Sequence, residues 1–337
     1  MRPHPPPNAR RRWLPGFVLL LLALAGCATR TPDLAREAPS DLPRRVELTR
    51  TPFFAQEQYQ CGPATLAMAL RSAGIAASPA RLVSQVYLPE RQGSLQIEML
   101  AAARRNGAFA LTIAPRMDAL LREVSAGSPV IVLQNLGLPL LPTWHYALVI
   151  GYDLGRDEIV LRSGTTERLV MTAANFAHTW GRGDYWGMVA LRPGRLPATA
   201  GEDEVTAAAI AFEKTNPPDA ARRVYAAAAA RWPGNLTLRM GLGNAAYAAG
   251  DLPAAEQAFR QAAQRHPRSA PAYNNLAMVL VEQGRTAEAR QAAETALALG
   301  GPSRKEARAT LERIAEAERR DGRLNDGPPG PAHPVPR

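Results

Sequence analysis

Cysteine is nearly missing from this chain. Cys27 and Cys61 are the only two among 337 residues, which excludes a framework of several disulfides in any compartment. Aromatic residues amount to 6%, and they are not interleaved with the arginines into a surface on which bases could stack. The formal charge of +10 falls to +6 once Arg2, Arg10, Arg11 and Arg12, in a leading segment expected to be removed, are set aside. A solvated basic surface is therefore expected, with no nucleic-acid partner. No cluster of His, Cys and acidic residues has metal-ligand spacing, and no glycine-rich phosphate loop ending in Gly-Lys-Ser/Thr is present, so neither a metal nor another cofactor is expected. The 26 glycines and 30 prolines gather at the ends and in linkers without a fixed period, which excludes a fibrous chain.

The first apolar run is short and has a recognisable exit. Arg10, Arg11 and Arg12 precede Trp13 to Ala25, whose core is Phe17 to Leu24; a membrane-spanning helix needs roughly 20 such residues, and no other run approaches that length. A charged start, an apolar middle and small residues at the end read as a signal peptide over residues 1–26. Its exit, Leu24-Ala25-Gly26-Cys27, resembles the lipobox of bacterial lipoproteins. That resemblance implies lipid on Cys27, and Ala28, in place of an aspartate, implies sorting to an outer membrane with the protein facing the periplasm. Residues 27–45, mixed in Pro, Ser, Asp and Arg, are expected to form a tether.

The first folded domain is expected over residues 46–195. Ala64 to Arg71 are good helix formers, and Gly62-Pro63 stands where a turn gives way to a helix. Cys61 is thereby placed at a helix amino terminus, where the dipole and unpaired amides favour a thiolate. Further helices are expected at Pro79 to Tyr87, capped by Ser78, and at Leu95 to Asn106, capped by Ser94 and ended by Gly107. Strands follow at Phe109 to Ile113 and, after a helix at Met117 to Ser125, at Pro129 to Gln134. His145 then opens an apolar strand that ends at Gly151, and Glu158 to Arg162 forms the next strand after a turn at Asp153 to Asp157. An imidazole beside a thiol can take its proton and make a nucleophile at neutral pH. His178 lies between Phe176 and Trp180 on a short helix, and a packing role is expected there.

Gln56-x4-Cys61-Gly62-Pro63-Ala64, taken with His145-Tyr146-Ala147-Leu148-Val149-x-Gly151-Tyr152, resembles the C39 peptidases, papain-like proteases known for cutting bacteriocin leader peptides. The resemblance runs from about Leu48 to Leu191. It implies an α+β papain-like domain with Cys61 as nucleophile, His145 as base, a glutamine serving the oxyanion and a third group orienting the histidine. Gln56 is the best match for the oxyanion donor, one residue nearer to the cysteine than the family usually has it, with Gln58 and Gln60 as alternatives. The family's aspartate is replaced. Ser163 stands at the closest position, and Asp184 and Asn175 are other groups that could reach the ring. The transporter that usually accompanies this peptidase has no counterpart, so bacteriocin export is not implied.

After Arg192-Pro193-Gly194 the chain becomes alanine-rich. Pro233 with Pro267, Gly250 with Gly284, and Ala255 with Ala289 each repeat at 34 residues, which resembles tetratricopeptide repeats. Units at 202–235, 236–269 and 270–303 and a helix at 304–320 give an all-α domain at 202–320. Gly243 and Ala277 permit close helix approach, while Tyr225, Leu242, Phe259 and Leu276 fill the space. The first unit, with Asn216-Pro217-Pro218 at its turn, is degenerate. Such a stack offers a face for a peptide or partner protein, and residues 321–337 are expected to be disordered.

These readings converge on a membrane-tethered periplasmic cysteine peptidase acting on a protein or peptide substrate, with the repeats recruiting that substrate or a partner. The alternative is a non-catalytic envelope adaptor using a peptidase-like cleft. Transfer of an acyl group to an amine would share the same thioester chemistry.

Overall fold

The patterning of the first half builds an antiparallel sheet with helices on both faces. The computed structural model describes residue 34 and residues 38–56, 60–138 and 140–325. The expected signal peptide, Cys27, Gln58 and the end of the chain from residue 326 lie outside them. Strand β1 is Arg45–Glu47, and helix α1, Cys61–Ser72, follows it. Helix α2 is Pro79–Val86, the short hairpin strands β2 and β3 are Tyr87–Leu88 and Gly93–Ser94, and α3 is Gln96–Arg105. Next come β4 Phe109–Thr112, α4 Met117–Ser125, β5 Val130–Asn135, β6 Trp144–Asp153, β7 Glu158–Ser163 and β8 Thr166–Thr172. Helix α5, Ala173–Gly181, and β9, Gly187–Leu191, complete this half.

The main sheet has the order β4-β9-β5-β6-β7-β8, and β1 pairs with the far end of β6. Alternation along these strands sends side chains to two cores. One face takes Ile131, Tyr146, Leu148, Ile150 and Met188 against α1, α2 and α3. The other takes Val132, Ala147, Val149 and Val189 against α4 and α5. Strand β6 runs beyond the expected stop at Gly151 because that glycine admits a neighbour: a Cβ there would lie 2.5 Å from the carbonyl oxygen of Val46 in β1.

Two local expectations need correction. Ser94 does not cap α3; Leu95 occupies the cap position, and Ser94 lies in β3. Ser78 takes the cap position of α2 with extended backbone but makes no side-chain capping bond. Gly107 does end α3's region in a left-handed conformation, φ 89°. The described part of the expected tether, moreover, is not free. Leu34 is fully buried and its amide donates to Asp157 Oδ1 at 3.0 Å, Asp41 forms a two-pronged pair with Arg122, and Leu154 N donates to Arg44 O. Apolar Leu34 and Leu42 in this polar stretch account for its docking.

The second half is a stack of paired helices: α6 Glu202–Glu213 with α7 Pro218–Arg231, α8 Leu236–Ala248 with α9 Leu252–Arg265, and α10 Ala270–Glu282 with α11 Thr286–Leu299. A last helix, α12, runs over Arg304–Asn325, past the expected end at 320. Gly250 and Gly284 turn the pairs with φ of 76° and 74°. Gly243 permits the expected close approach, since a Cβ there would meet the Phe259 ring at 2.4 Å.

The two halves share a core. Phe212 of α6 meets Phe109 of β4 edge to face, with ring centroids 6.1 Å apart, and Val205, Ala208, Val224 and Tyr225 join the cluster that contains Leu111, Val189 and Leu191. The degenerate first turn has a reason in this contact: Asn216 Nδ2 donates to the Arg104 carbonyl across the boundary. The connecting segment is held too, with Thr199 N and Oγ1 each 2.8 Å from Oε1 of the fully buried Glu123.

Candidate active site

The cleft forms at one end of the sheet, where β6 begins and β7 ends. Cys61 is the first residue of α1, and Gly62 through Leu70 behind it are all buried. Burying this helix end requires glycine at position 62, because a Cβ there would fall 2.2 Å from Ser94 Oγ. The backbone N–H groups of Cys61 and Gly62 at this helix end are directed at the sulfur. Burial pushes the Cys61 thiol above its usual range, and the backbone N–H groups of Tyr146, Gly62 and Cys61 itself pull it partway back. The Tyr146 contact sets the thiol against the strand segment that carries His145.

His145, the second residue of β6, is half-buried, and burial lowers its imidazole below the ordinary histidine value. Its Nε2 lies 2.9 Å from Ser163 Oγ at the end of β7. If Nε2–H donates to this hydroxyl, Nδ1 is the nitrogen left to accept a proton. Burial thus favours the neutral form of both the thiol and the imidazole, and a neutral imidazole is the protonation state a general base requires.

Gln56 arrives on the segment before the helix. Its backbone N–H donates to Gly164 O at 3.1 Å, and its side-chain Nε2 donates to Thr65 Oγ1 at 3.3 Å and to Tyr146 O at 3.4 Å. Thr65, one turn after Cys61 and fully buried, also donates to Tyr146 O at 3.2 Å. Arg162 reinforces the segment from below, its guanidinium bonding the carbonyls of Thr51 and Glu167.

Gln56, Cys61 and His145 line one cavity of about 910 Å³. Its other walls are the 91–96 segment, Leu133, Pro142, Thr143, Trp144, Tyr146, Gly164 and Asp184. Of the groups weighed for orienting the histidine, Ser163 touches the ring. Asp184 lines the cleft in a left-handed backbone conformation, φ 56°, and Asn175 lies on α5, where its backbone N–H bonds Thr172. His178 pairs with Arg182 away from the cleft, while Phe176 and Trp180 pack together with centroids 5.4 Å apart. Asp153 Oδ1 accepts from Gly155 N and Arg156 N, as a turn residue does. Among the described residues no group of three His, Cys, Asp or Glu could hold a metal, and no helix is long and apolar enough to cross a membrane.

Sequence reasoning missed Thr65 and Tyr146. Thr65 was discoverable as the one hydroxyl four residues after Cys61 in an otherwise apolar helix. Tyr146 ties the two walls, with its hydroxyl donating to Ser94 O at 3.2 Å and its ring edge-on to Trp186; nothing in the pattern marked it beyond its place beside His145. Its phenol is held far above the usual range by burial and by the nearby Cys61.

Comparison with known proteins agrees with this division. The model of the Peptidase_C39 like family matches residues 48–184, and the tetratricopeptide repeat model matches residues 206–270, 243–304 and 274–326. Among solved structures, a C39-like peptidase from Bacillus anthracis is 16% identical over 44% of this chain and 98% of its own, with a TM-score of 0.38. A double glycine motif protease from an AMS/PCAT transporter, in complex with a leader peptide, is 18% identical over 42% of this chain and 91% of its own, with a TM-score of 0.32. The Yersinia enterocolitica type III secretion chaperone SycD, in complex with a peptide of the translocator YopD, is 20% identical over 34% of this chain and 93% of its own, with a TM-score of 0.32. No curated protein matches. The chain carries a C39-like peptidase domain, α+β and built on a sheet, followed by an all-α domain of tetratricopeptide repeats.

Proposed function

We propose that this protein is a cysteine peptidase, tethered through lipid on Cys27 to the periplasmic face of an outer membrane, whose repeats recruit a protein substrate or partner. The observation that carries the reading is the Ser163–His145 contact of 2.9 Å in the cleft that also holds Cys61. His145 takes the thiol proton as the sulfur attacks a peptide carbonyl, forming a C–S bond and an oxyanion. The Cys61 backbone N–H and the Gln56 amide, which must turn from Thr65 Oγ1 or Tyr146 O to do so, serve that oxyanion without titrating. As the intermediate collapses, the imidazolium gives its proton to the departing amine, and a thioester remains. Water, activated by the same imidazole, attacks the thioester and restores the thiol. An amine in place of water would make the reaction a transfer. Ser163 holds the ring in the tautomer this cycle needs.

The test is alkylation of Cys61 by iodoacetamide at pH 7 in the parent, His145→Ala and Ser163→Ala proteins. Burial alone slows this thiol, so the expected pattern is a parent faster than free cysteine and a His145→Ala variant slower than it. A parent no faster than His145→Ala would sink the peptidase reading and favour the adaptor, which uses the cleft only to bind.

A further inference from the structure

Nine large apolar side chains stand exposed among the described residues, and five of them fall within nine consecutive positions: Leu136, Leu138, Leu140, Leu141 and Trp144. Leu140 is 93% exposed, Leu141 73% and Leu138 64%. The segment joins β5 to β6 beside the cleft. Its sequence, Leu136-Gly137-Leu138-Pro139-Leu140-Leu141-Pro142-Thr143-Trp144, contains no ionisable side chain, although 21% of the chain is charged. A contiguous exposed apolar patch of this kind marks a contact surface.

Part of its backbone is bonded from within. Leu136 N donates to Thr143 O at 2.9 Å and Leu141 N to Leu138 O at 3.1 Å. Gly137 N and Thr143 N both donate to Oδ1 of the buried Asn135, at 3.0 and 2.9 Å, and the Arg182 guanidinium donates to Gly137 O. The loop closes so tightly that a Cβ on Gly137 would fall 2.3 Å from Leu141 O. Unpaired backbone groups are costly in an apolar medium, so these bonds lower the cost of contact with the interfacial layer, while the hydrocarbon core stays closed to such a loop. Peptide subsites, in contrast, are concave. Pro142, Thr143 and Trp144 contribute to the cleft wall, but the four leucines do not line it and stand exposed to solvent.

We propose that this hairpin is a membrane-contact element, its leucines entering the interfacial layer of a phospholipid bilayer with Trp144 at headgroup level, where indole rings are favoured. The lipid proposed on Cys27 would supply a second attachment. The chain reaches the body through Leu34, bonded to Asp157, beyond the opposite end of the ten-residue β6, which spans about 30 Å. One apolar signal gives marginal, reversible binding and two give stable binding. Attachment at both ends lays the sheet along the bilayer and holds the cleft at its surface. The substrate class that follows is a polypeptide bound to, or emerging from, the membrane. That last step rests on the peptidase reading; the membrane contact does not.

The test uses the polypeptide beginning at Ala28, which retains every described residue and carries no lipid, with vesicles of phosphatidylethanolamine and phosphatidylglycerol. The parent and the Cys61→Ala variant should partition reversibly and alike onto an excess of vesicles, whatever the fate of the peptidase reading. Combined Leu138→Ser, Leu140→Ser and Leu141→Ser should reduce the partition by at least about tenfold with little change in the melting temperature, since these side chains are largely exposed. A parent that stays in solution, or a triple variant that binds equally well, overturns the proposal. Unchanged vesicle binding with lost peptide turnover makes the hairpin a substrate surface, and dimer dissociation in the triple variant without vesicle binding by the parent makes it a self-contact; both overturn it. Should the triple variant not fold, Leu140→Trp gives a second reading: its emission shifts to the blue on vesicles when the tip inserts, and an unshifted emission refutes insertion.

Discussion

The peptidase half and the repeat half use buried space in opposite ways. In the first, polar groups are buried with named partners: Thr65 on the Tyr146 carbonyl, Arg162 on the carbonyls of Thr51 and Glu167, Asn135 on two backbone amides, Ser163 on His145. In the second, the interior is mainly alanine, with Phe259 and Tyr225 each laid against a glycine, Gly243 and Gly241. Polar burial fixes single atoms, because an unsatisfied group costs about 1–3 kcal/mol and only one geometry avoids that loss. Small-residue packing fixes a shape and leaves the outward residues free to vary. Substitutions in the first half should therefore change chemistry at nearly constant stability, and substitutions in the second should change stability at nearly constant chemistry.

The largest expected effect sharpens this contrast. Cys61→Ala should lower turnover of a fluorogenic peptide by at least about 1,000-fold, while its thermal midpoint stays near that of the parent. Retained turnover would remove the thiol from the reaction. The second prediction strains the comparison where the halves meet. Phe212→Ala deletes the ring set edge-on against Phe109 and should cost about 3–5 kcal/mol, separating one calorimetric transition into two. A single transition at the parent's midpoint would mean that the shared core does not couple the halves.

The same contrast explains what was legible in the sequence. The repeats announce themselves because shape is encoded by period: the spacing of Gly250 and Gly284 is visible as text, and both adopt the left-handed turns it requires. Cys61 and His145 were legible as motif residues, and their elements fall where pattern placed them, α1 starting at Cys61 and β6 at Trp144. What joins them was not. Thr65, Tyr146 and Arg162 act through contacts between residues 81 to 111 positions apart, and no local pattern carries such distances. Ser94 misled for the reverse reason. It looks like a helix cap, but the β2–β3 hairpin carries it against Gly62, and its hydroxyl is left buried without a partner. The docked segment around Leu34 and Leu42 was hidden because two apolar residues in a polar stretch form no period.

A third prediction isolates shape. Gly243→Ala places a methyl group 2.4 Å from the Phe259 ring, so helices α8 and α9 must part, at a cost of about 1–3 kcal/mol. The melting temperature should fall while cleavage of a short peptide, which has no need of the repeats, is unchanged. Loss of cleavage in parallel with stability would show that the repeat stack supports the cleft.

The smallest effect is the most specific, because it concerns one hydrogen bond and its sign. Ser163→Ala removes the contact to His145 Nε2 and should lower kcat about tenfold, a loss of about 1.4 kcal/mol, with KM unchanged. Ser163→Asp tests the orienting role by charge. Turnover needs a neutral imidazole, and in the parent burial holds His145 below its ordinary value. The acid limb of kcat/KM should therefore lie below about pH 6.5, with activity lost as pH falls through it. A carboxylate at position 163 stabilises the imidazolium and raises that pKa, so the limb must move to higher pH. A limb that stays in place in Ser163→Asp would mean that position 163 does not touch the ring during turnover, whatever the loss in Ser163→Ala. A limb that moves up, with kcat kept or raised, would show that a serine here does the positioning work of an aspartate while leaving the base neutral over a wider range of acid.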